Sequence, residues 1–415
     1  MATAIDKIKL AKAAASSLGQ ASTGAKNNVL KKIAELLPLR AADIIAANKI
    51  DLDRGVETGL AAGLMDRLTL NETRIQALAS AVLDLVGLPD PVGDVVRGRT
   101  LPNGLKLSQI RVPLGVIGAI YEARPNVTID IASLAIKSGN AAVLRGGSAA
   151  EKTNAVLVTL LQDALEACGI NRDAIQTVDE FGRAGANDMM QAVGLIDVLI
   201  PRGGAGLINS VVNESKVPVI QTGDGVVHLF VDETARVDWA VDIIINSKTQ
   251  RTSVCNTLET LLLHKDAFDR VMPAVVAALD AKNVVMHGDD RVVSAFPQAV
   301  AATEEDWKTE YYSLDLSVKV VADLDEALAH IAQYSTKHTE SIITENVENA
   351  ERFLNEVDSS TVMVNASTRF TDGGEFGFGA EVGISTQKLH ARGPMGLQEL
   401  TSTKWLVRGA GHVRS

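Results

Sequence analysis

The sequence predicts an α/β protein whose core is formed by largely parallel sheets. Residues 112–232 and residues 236–365 each alternate short apolar runs, typical of strands, with longer amphipathic segments, typical of helices. This alternation favours parallel strands whose connecting helices cover both faces of a sheet. The chain has 415 residues, and chains of this length usually form two or three domains. We therefore expect two α/β domains with smaller segments attached to them.

The segments outside this alternation have patterns of their own. Residues 1–90 are rich in Ala and Leu at helical spacing and predict helices that pack around the sheets. Residues 94–113 alternate around Asn103-Gly104, and Asn-Gly between alternating runs is a strong β-hairpin signal. The tail from residue 366 ends in the strand-like run TSTKWLVRG. Because such a hairpin has an unpaired edge, another subunit is one candidate partner for it.

Composition narrows the class of protein. Lys and Arg number 40 and Asp and Glu number 51, so the net charge of −11 argues against general nucleic-acid binding. The two cysteines, Cys168 and Cys255, are far apart, which favours a reducing compartment over a disulfide framework. The N-terminus lacks the apolar core of a signal peptide, and no run approaches the ~18–20 apolar residues of a membrane span. We expect a soluble cytosolic protein without nucleic-acid or membrane partners.

Cys255 lies between two patterns of different period. Apolar residues in Val237–Ile245 recur at helical spacing, whereas Leu258 and Leu261–Leu263 form a short, strand-like apolar run that ends at His264. Cys255 is therefore predicted on a polar loop, with Arg251 close by. A thiol on such a loop beside a cation can ionise and attack a carbonyl carbon. The alternative is a half-buried structural cysteine, which is how we interpret Cys168.

Two predicted strand-to-helix turns are rich in glycine. They are Arg145-Gly146-Gly147-Ser148 and residues 201–206, which include Gly203 and Gly204. Backbone N–H groups at a helix N-terminus attract anions such as a pyrophosphate, and glycine lets a ligand approach the backbone. Neither turn matches Gly-x-Gly-x-x-Gly or the Walker A pattern, so tight turns without a ligand are the alternative. An arginine beside each turn favours a phosphorylated dinucleotide, since its guanidinium suits a ribose phosphate.

Other catalytic motifs are missing from the sequence. It contains no spacing typical of a zinc site, such as Cys-x-x-Cys or His-Glu-x-x-His. It also contains no Gly-x-Ser-x-Gly turn that would support a serine nucleophile. We therefore predict an enzyme or binding protein that holds no metal, with Cys255 as the candidate nucleophile.

Five stretches of the chain resemble the aldehyde dehydrogenase superfamily. They are residues 115–147, 199–208, 250–264, 318–346 and 376–405. A cofactor sheet, a second α/β region that begins near a loop cysteine, a projecting hairpin and a C-terminal strand follow the order of that superfamily. The resemblance covers essentially the whole chain. Val321–Ile342, which includes His330 and His338, is the stretch most specific to the branch that reduces L-glutamate 5-phosphate.

The resemblance implies an aldehyde dehydrogenase-like fold. A Rossmann-type cofactor domain is expected over residues 1–95 and 113–230, and an α/β catalytic domain over residues 231–385. A small oligomerisation segment is expected over residues 96–112 and 386–415, in a homo-oligomer. The implied reaction is the NADPH-dependent reduction of L-glutamate 5-phosphate to the 5-semialdehyde, with release of phosphate, in proline biosynthesis. Because an acyl phosphate is labile, glutamate 5-kinase is a candidate partner.

The resemblance also implies roles for individual residues. Cys255 is the expected nucleophile, and Asn126 stands in for the superfamily's asparagine oxyanion donor, whose position falls near Ala123. The cofactor residues implied are Arg145 (for a 2′-phosphate), Gly147, Ser148, Gly203 and Gly204 (for the pyrophosphate) and Glu310 (for the nicotinamide ribose). A solvated helix-end carboxylate is the alternative for Glu310. Cations should line the substrate pocket, and the candidates are Arg124, Arg251, His338 and Arg392, of which about half should form structural ion pairs.

Gln221 departs from the hydrolytic members of the superfamily. They carry a general-base glutamate near this position, and glutamine cannot take a proton from water. An enzyme that exchanges its thioester with phosphate does not need that base. Gln221 thus favours a phosphate-coupled reductase over a hydrolytic aldehyde dehydrogenase. A catalytically silent scaffold that binds the upstream kinase is the third alternative.

Overall fold

Two parallel sheets carry the fold, one of four strands and one of seven. They lie in separate compact units. Unit 1 comprises Met1–Thr222, Gly377–Gly383 and Met395–Ser415, and unit 2 comprises Gly223–Phe376 and Ile384–Pro394. The structure, a computed structural model, describes residues 3–414 apart from the side chains of Ala62 and Ala205. Within these residues, none of the helices combines the length and apolar character that a membrane crossing needs.

The helices are, in chain order, α1 (Ala4–Gly19), α2 (Thr23–Leu39), α3 (Ala41–Glu57), α4 (Ala62–Leu68), α5 (Glu72–Gly87), α6 (Pro125–Lys137), α7 (Glu151–Ala167), α8 (Gly182–Gln191), α9 (Ala205–Glu214), α10 (Val237–Thr249), α11 (Phe268–Asp280), α12 (Asp290–Ala295), α13 (Leu324–Tyr334) and α14 (Val347–Glu356). The strands are β1 (Val95–Thr100), β2 (Lys106–Pro113), β3 (Val116–Tyr121), β4 (Ala141–Arg145), β5 (Ile175–Thr177), β6 (Val198–Arg202), β7 (Val227–Val231), β8 (Leu258–His264), β9 (Val285–Gly288), β10 (Val300–Ala301), β11 (Asp315–Val321), β12 (Thr339–Ile343), β13 (Thr361–Val364), β14 (Ile384–Ser385), β15 (Gly393–Pro394) and β16 (Thr401–Arg408).

The four-stranded sheet of unit 1 has the order β5-β4-β3-β6, and all of its pairs are parallel. β3 is buried along its whole length, with α1 and α6 packed against it. The chain moves from β3 through β4 to β5 on one side and then returns to β6 on the other. The strand order therefore reverses between β3 and β6. Ligands of such sheets bind at this reversal, beyond the carboxyl ends of the strands.

A three-stranded antiparallel sheet in unit 1 confirms the predicted hairpin. β1 and β2 pair on either side of the Asn103-Gly104 turn, and Gly104 has a φ of +91°, which glycine adopts without strain. The predicted C-terminal strand is β16, which pairs with β2. β1 is exposed along its entire length. Its part in oligomerisation stays a prediction.

The seven-stranded sheet of unit 2 has the order β10-β9-β11-β8-β7-β12-β13 and is parallel throughout. Successive side chains of β8 point to opposite faces of the sheet. Leu261 and Leu263 pack with residues of α10 and α11, whereas Leu262 packs with residues of α13 and α14. Because both faces are buried, apolar residues occupy the successive positions Leu261, Leu262 and Leu263 instead of alternating with exposed polar ones. This central strand anchors the Cys255 loop at its amino end.

One predicted strand is wrong. The apolar run Pro218–Gly223 predicts a strand, but it contains isolated bridge residues, Val219 (paired with Leu199) and Thr222, and no continuous strand. Pro218 has no N–H group, so it accepts a bond from Leu199 without donating to a ladder. The pairing stops after the Ile220 N–H group bonds to the Leu199 carbonyl, 2.9 Å away.

Candidate active site

Cys255 is half-buried in a turn between α10 and β8. The backbone on both sides of the thiol is held by side chains. The Thr257 hydroxyl donates to the Arg251 carbonyl over 2.7 Å. The Asn256 amide donates to the Thr371 carbonyl over 2.9 Å. Fixing the loop in advance is what a nucleophile needs if it must meet an acyl carbon in one orientation.

Gly225 packs directly against the backbone of Cys255. A Cβ atom placed on Gly225 would overlap the Cys255 carbonyl oxygen and lie 2.9 Å from the Cys255 Cα. Only glycine allows this approach of two backbones. Burial raises the pKa of the neighbouring Asp224 carboxyl. Sequence reasoning missed both residues, although the glycines on either side of Asp224 mark a segment where backbones approach closely.

A cleft of about 400 Å³ adjoins this loop in unit 2. It is lined by Asn246, Gln250, Arg251, Arg369, Phe370, Asp372 and Glu375. Arg251 was a predicted substrate residue, whereas Arg369 was not predicted. The Arg369 Nε donates to Gln250 over 2.8 Å, and within the described part of the chain its buried Nη1 has no hydrogen-bond partner. Burial lowers the pKa of Arg369, while its attraction to Cys255 raises it. An anionic ligand in the cleft would satisfy the remaining donor.

Glu310 lies on the segment that precedes β11. The Tyr312 hydroxyl donates to Glu310 Oε2 over 2.7 Å. Tyr312 has a φ of +57°, a left-handed conformation that a bulky residue adopts only when its surroundings impose it. Burial and the Glu310 carboxylate raise the pKa of Tyr312, with smaller contributions from Asp224 and Cys255. Glu310 and Cys255 therefore lie in one neighbourhood of unit 2, where the charges of both act on the Tyr312 hydroxyl.

Two other predicted substrate residues of unit 2 do not line the cleft. His338 is fully buried, and its Nδ1 bonds to the Thr339 hydroxyl over 2.8 Å. Burial lowers the pKa of His338 from 6.5 to about 4. Arg392 donates to Asp358 Oδ1 over 2.9 Å, and hydrogen bonds from Lys388 and Arg392 lower the pKa of that carboxyl. A role in substrate binding stays a prediction for both.

The buried His338 should make the protein less stable in acid. In the unfolded chain it gains a proton below about pH 6.5, whereas in the folded protein it does so only near its pKa of about 4. The contribution of neutral His338 to the free energy of unfolding is therefore complete above pH 6.5. It is lost as the pH falls, at about 1.4 kcal/mol per pH unit and about 3 kcal/mol in all. Urea unfolding of the wild type and of His338→Gln across this range is the measurement. Equal pH dependence of the two proteins would contradict the prediction.

In unit 1, the first glycine-rich turn is held by a buried carboxylate. The Gly146 N–H group donates to Asp179 Oδ1 over 2.6 Å, and the Asn154 amide donates to Asp179 Oδ2 over 3.0 Å. A Cβ on Gly146 would overlap the Asn154 amide nitrogen. Burial raises the pKa of Asp179, and attraction to Arg145 lowers it. The network fixes the backbone directly after Arg145.

The rest of that turn follows the end of β4. Gly147 has a φ of +78°, and Ser148, whose carbonyl accepts from Arg54, begins a 3-10 turn. The Nε of Arg145 is buried and has no hydrogen-bond partner among the residues that the structure describes. A buried guanidinium N–H group without a partner is rare, and a bound anion would satisfy it.

The second glycine-rich turn lies where the strand order of unit 1 reverses. A Cβ on Gly203 would lie 2.8 Å from Leu207 and 2.9 Å from the carboxylate of Glu122, which follows β3. Gly204 is the N-cap of α9, and a Cβ placed on it would meet nothing within 4 Å. Gly204 offers no side chain to cap α9, and the Leu207 N–H group donates to the Gly204 carbonyl over 3.0 Å. The N–H groups that precede Leu207 have no partner within a regular helix, and such groups bind anions.

Asn126 and Arg124 lie at the start of α6 in unit 1. Arg124 is the N-cap residue, and the Asn126 amide donates to Asp130 over 3.1 Å. Burial raises the pKa of Asp130 to about 6. Ala123 has a φ of +45°, so the chain turns sharply before the helix. The oxyanion role of Asn126 and the substrate role of Arg124 stay predictions.

Comparison with known proteins shows to which family this chain belongs. The aldehyde dehydrogenase family model matches residues 2–308. The gamma-glutamyl phosphate reductase of Leifsonia xyli subsp. xyli is 62% identical, over 99% of this chain and 97% of that protein, and that of Thermobifida fusca is 57% identical, over 97% of each. The crystal structure of the Thermotoga maritima gamma-glutamyl phosphate reductase, 45% identical, superposes with a TM-score of 0.97 over 100% of both chains. The aldehyde dehydrogenase-like fold predicted from the sequence is confirmed. The chain belongs to the aldehyde dehydrogenase family of oxidoreductases and, within it, to the gamma-glutamyl phosphate reductases.

Proposed function

We propose that this chain reduces L-glutamate 5-phosphate to L-glutamate 5-semialdehyde and releases phosphate, with NADPH as the reductant, in proline biosynthesis. The observation that carries the proposal is the position of Cys255, on a fixed loop beside a cleft that contains two arginines. The names of relatives with 57% and 62% identity over nearly the whole chain support the same substrate.

The reaction follows from the residues at the Cys255 loop. The thiolate attacks the acyl carbon, so that a C–S bond forms while the C–O bond to phosphate breaks, leaving a thioester and free phosphate. Arg251 and Arg369 balance the charge of the departing phosphate. The backbone N–H group of Cys255 donates to the oxyanion, and Asn126 is the proposed second donor. A bound nicotinamide dinucleotide would supply the hydride that, with a proton, releases the aldehyde and the thiol.

The two glycine-rich turns of unit 1 fit a dinucleotide. The open N-terminus of α9, at Gly203 and Gly204, would hold the pyrophosphate. The buried Nε of Arg145 needs an acceptor, and a ribose 2′-phosphate would supply one. Gly147 and Ser148 continue the same turn and would line the ribose. In unit 2, Glu310 would bind the nicotinamide ribose through the carboxylate that Tyr312 orients.

Replacement of Arg145 by glutamine should weaken NADPH binding selectively. The variant lacks the charge that pairs with the 2′-phosphate, so the KM for NADPH should rise roughly tenfold to a hundredfold while the KM for NADH stays unchanged. Steady-state kinetics with both cofactors would measure this. Arg172→Gln, which removes an exposed arginine paired with Glu166, is the matched control in unit 1. Equal losses with both cofactors would argue against a 2′-phosphate contact.

The substrate is a zwitterion with a phosphate at one end, and the cleft contains groups of both signs. Arg251 and Arg369 would bind the phosphate and the α-carboxylate, whereas Asp372 and Glu375 would attract the α-ammonium group. This arrangement favours a phosphorylated amino acid over an uncharged aldehyde.

Arg251→Gln and Arg369→Gln should each raise the KM for L-glutamate 5-phosphate. Each variant loses a charged hydrogen bond to an anion, and this loss should raise the KM roughly tenfold to a hundredfold. The KM for NADPH should not change. Arg291→Gln removes an exposed arginine of unit 2 that bonds to the Lys265 carbonyl, and it should behave like the wild type. Wild-type substrate KM values in both cleft variants would exclude this cleft as the substrate site.

Phosphate dependence tests the function itself. In the reverse direction, the oxidation of the semialdehyde with NADP should require phosphate or arsenate, because only that anion removes the acyl group from Cys255. Oxidation that proceeds without either anion would indicate a hydrolytic aldehyde dehydrogenase, which Gln221 argues against. A wild-type protein without NADPH turnover would instead favour the scaffold alternative.

The proposed function includes two binding partners, a second copy of the chain and glutamate 5-kinase. The exposed strand β1 and its antiparallel sheet offer an edge for a second copy of the chain, and sedimentation would test the homo-oligomer. Glutamate 5-kinase makes the labile substrate, so direct transfer between the two enzymes would protect the acyl phosphate. A pull-down without association would leave this contact unsupported.

A further inference from the structure

A buried ion pair connects the two ends of the Cys255 loop. Lys248 lies in the last turn of α10 and Glu259 is near the start of β8. The Lys248 Nζ is 2.6 Å from Glu259 Oε2, and both side chains are 0% exposed. The helix that enters the loop is therefore bonded directly to the strand that leaves it.

Stability alone is a weak explanation for this pair. Transfer of two charges from water into the interior opposes folding, and an apolar pair of similar volume is often equally stabilising or more so. Burial lowers the pKa of Lys248 and raises that of Glu259 to about 8, which shows the strength of that opposition. What the pair contacts gives a better explanation for its presence.

A third segment packs on the ion pair. The Lys248 Nζ lies 5.7 Å from the centre of the Tyr311 ring, and the Tyr311 backbone N–H group faces the Glu259 carboxylate. Tyr311 directly follows Glu310, whose charge attracts Lys248 and repels Glu259. The geometry of the ion pair thus sets the position of the Glu310 segment relative to the Cys255 loop.

We propose that Lys248 and Glu259 are positioning residues, which hold the Cys255 loop and the Glu310 segment in one fixed relation. The inference rests on the proposed function, in which Cys255 carries the acyl group and Glu310 binds the cofactor ribose. Neither Lys248 nor Glu259 is among the residues that line the cleft. Loss of the pair frees the loop and the segment to move independently, so cofactor binding and thiol reactivity change together.

Two double variants test this proposal in a Cys168→Ala background, where Cys255 is the remaining thiol. Lys248→Met/Glu259→Met replaces the pair with apolar groups, and Lys248→Gln/Glu259→Gln keeps a neutral hydrogen-bonded pair. We expect both to fold, with the KM for NADPH raised about tenfold or more and kcat lowered less. The rate of Cys255 alkylation by iodoacetamide should also change by about threefold or more.

Lys26→Met/Asp90→Leu is the matched control, because this pair in unit 1 has the same 2.6 Å separation and exposures of only 1% and 8%. It should change the thermal midpoint without changing the KM for NADPH or the alkylation rate. A folded double variant with both quantities within about twofold of the parent would overturn the proposal. Unfolding of both Lys248/Glu259 variants, with the control folded, would overturn it as well, since the pair would then serve folding. If the parent lacked reductase activity, the proposed function would fail, while the alkylation rates would still decide the positioning role.

Discussion

Cys255→Ala should lower kcat/KM for L-glutamate 5-phosphate by a factor on the order of 10⁴ or more. Without the sulfur no thioester forms, and the acyl phosphate is not converted into an intermediate that accepts hydride. The affinity for NADPH should stay unchanged, since the glycine-rich turns proposed to bind it lie in unit 1. Loss of NADPH absorbance measures the turnover, and quenching of protein fluorescence measures the binding.

Cys168→Ala is the matched control for this substitution. Cys168 caps the end of α7 and is half-buried, and burial raises the pKa of its thiol. Its variant should keep wild-type turnover, and mass spectrometry of the quenched wild type should find the acyl group on residue 255. Wild-type activity in Cys255→Ala, or an acyl group on another residue, would refute the thioester mechanism.

The fold was predictable where one physical signal dominated. The apolar run that ends before His264 lies in β8, because a strand with both faces buried carries apolar side chains at successive positions. The Asn103-Gly104 hairpin was equally clear, since its turn needs a glycine at positive φ. The expected strand after Val217 failed because Pro218 removes a donor, so an apolar sequence did not become a ladder.

Residue patterns alone identified the cleft only where its residues are neighbours of Cys255 in the sequence. Arg251 was identified because it lies near Cys255 in the loop. Arg369 is far away in the chain, and it is brought to the cleft by the segment whose Thr368 hydroxyl donates to the Asn256 carbonyl over 2.7 Å. That contact leaves no pattern in the sequence. His338, in a polar stretch, was predicted as a substrate residue; it is buried directly before β12, and its role stays a prediction.

Gly225→Ala should nearly abolish activity although it adds only a methyl group. The new Cβ would overlap the Cys255 carbonyl and lie 2.9 Å from its Cα, so the loop must move as a whole. Displacement of a nucleophile by about 1 Å lowers its rate on the order of 10²-fold. Overpacking should also lower the free energy of unfolding by roughly 1–3 kcal/mol. Steady-state kinetics and urea unfolding at one temperature separate the two effects.

Gly87→Ala is the control that isolates the close approach from the general effect of a methyl group. Gly87 ends α5, and nothing lies within 4 Å of the Cβ it would gain. Alanine there should leave activity unchanged and should stabilise the protein by about 0.4–1 kcal/mol, because it restricts the unfolded chain. The decisive comparison is the alkylation rate of Cys255 in folded Gly225→Ala. A rate and a kcat/KM equal to those of Gly87→Ala would mean that the Cys255 loop tolerates displacement, and that its fixed backbone is not what prepares the thiol for attack.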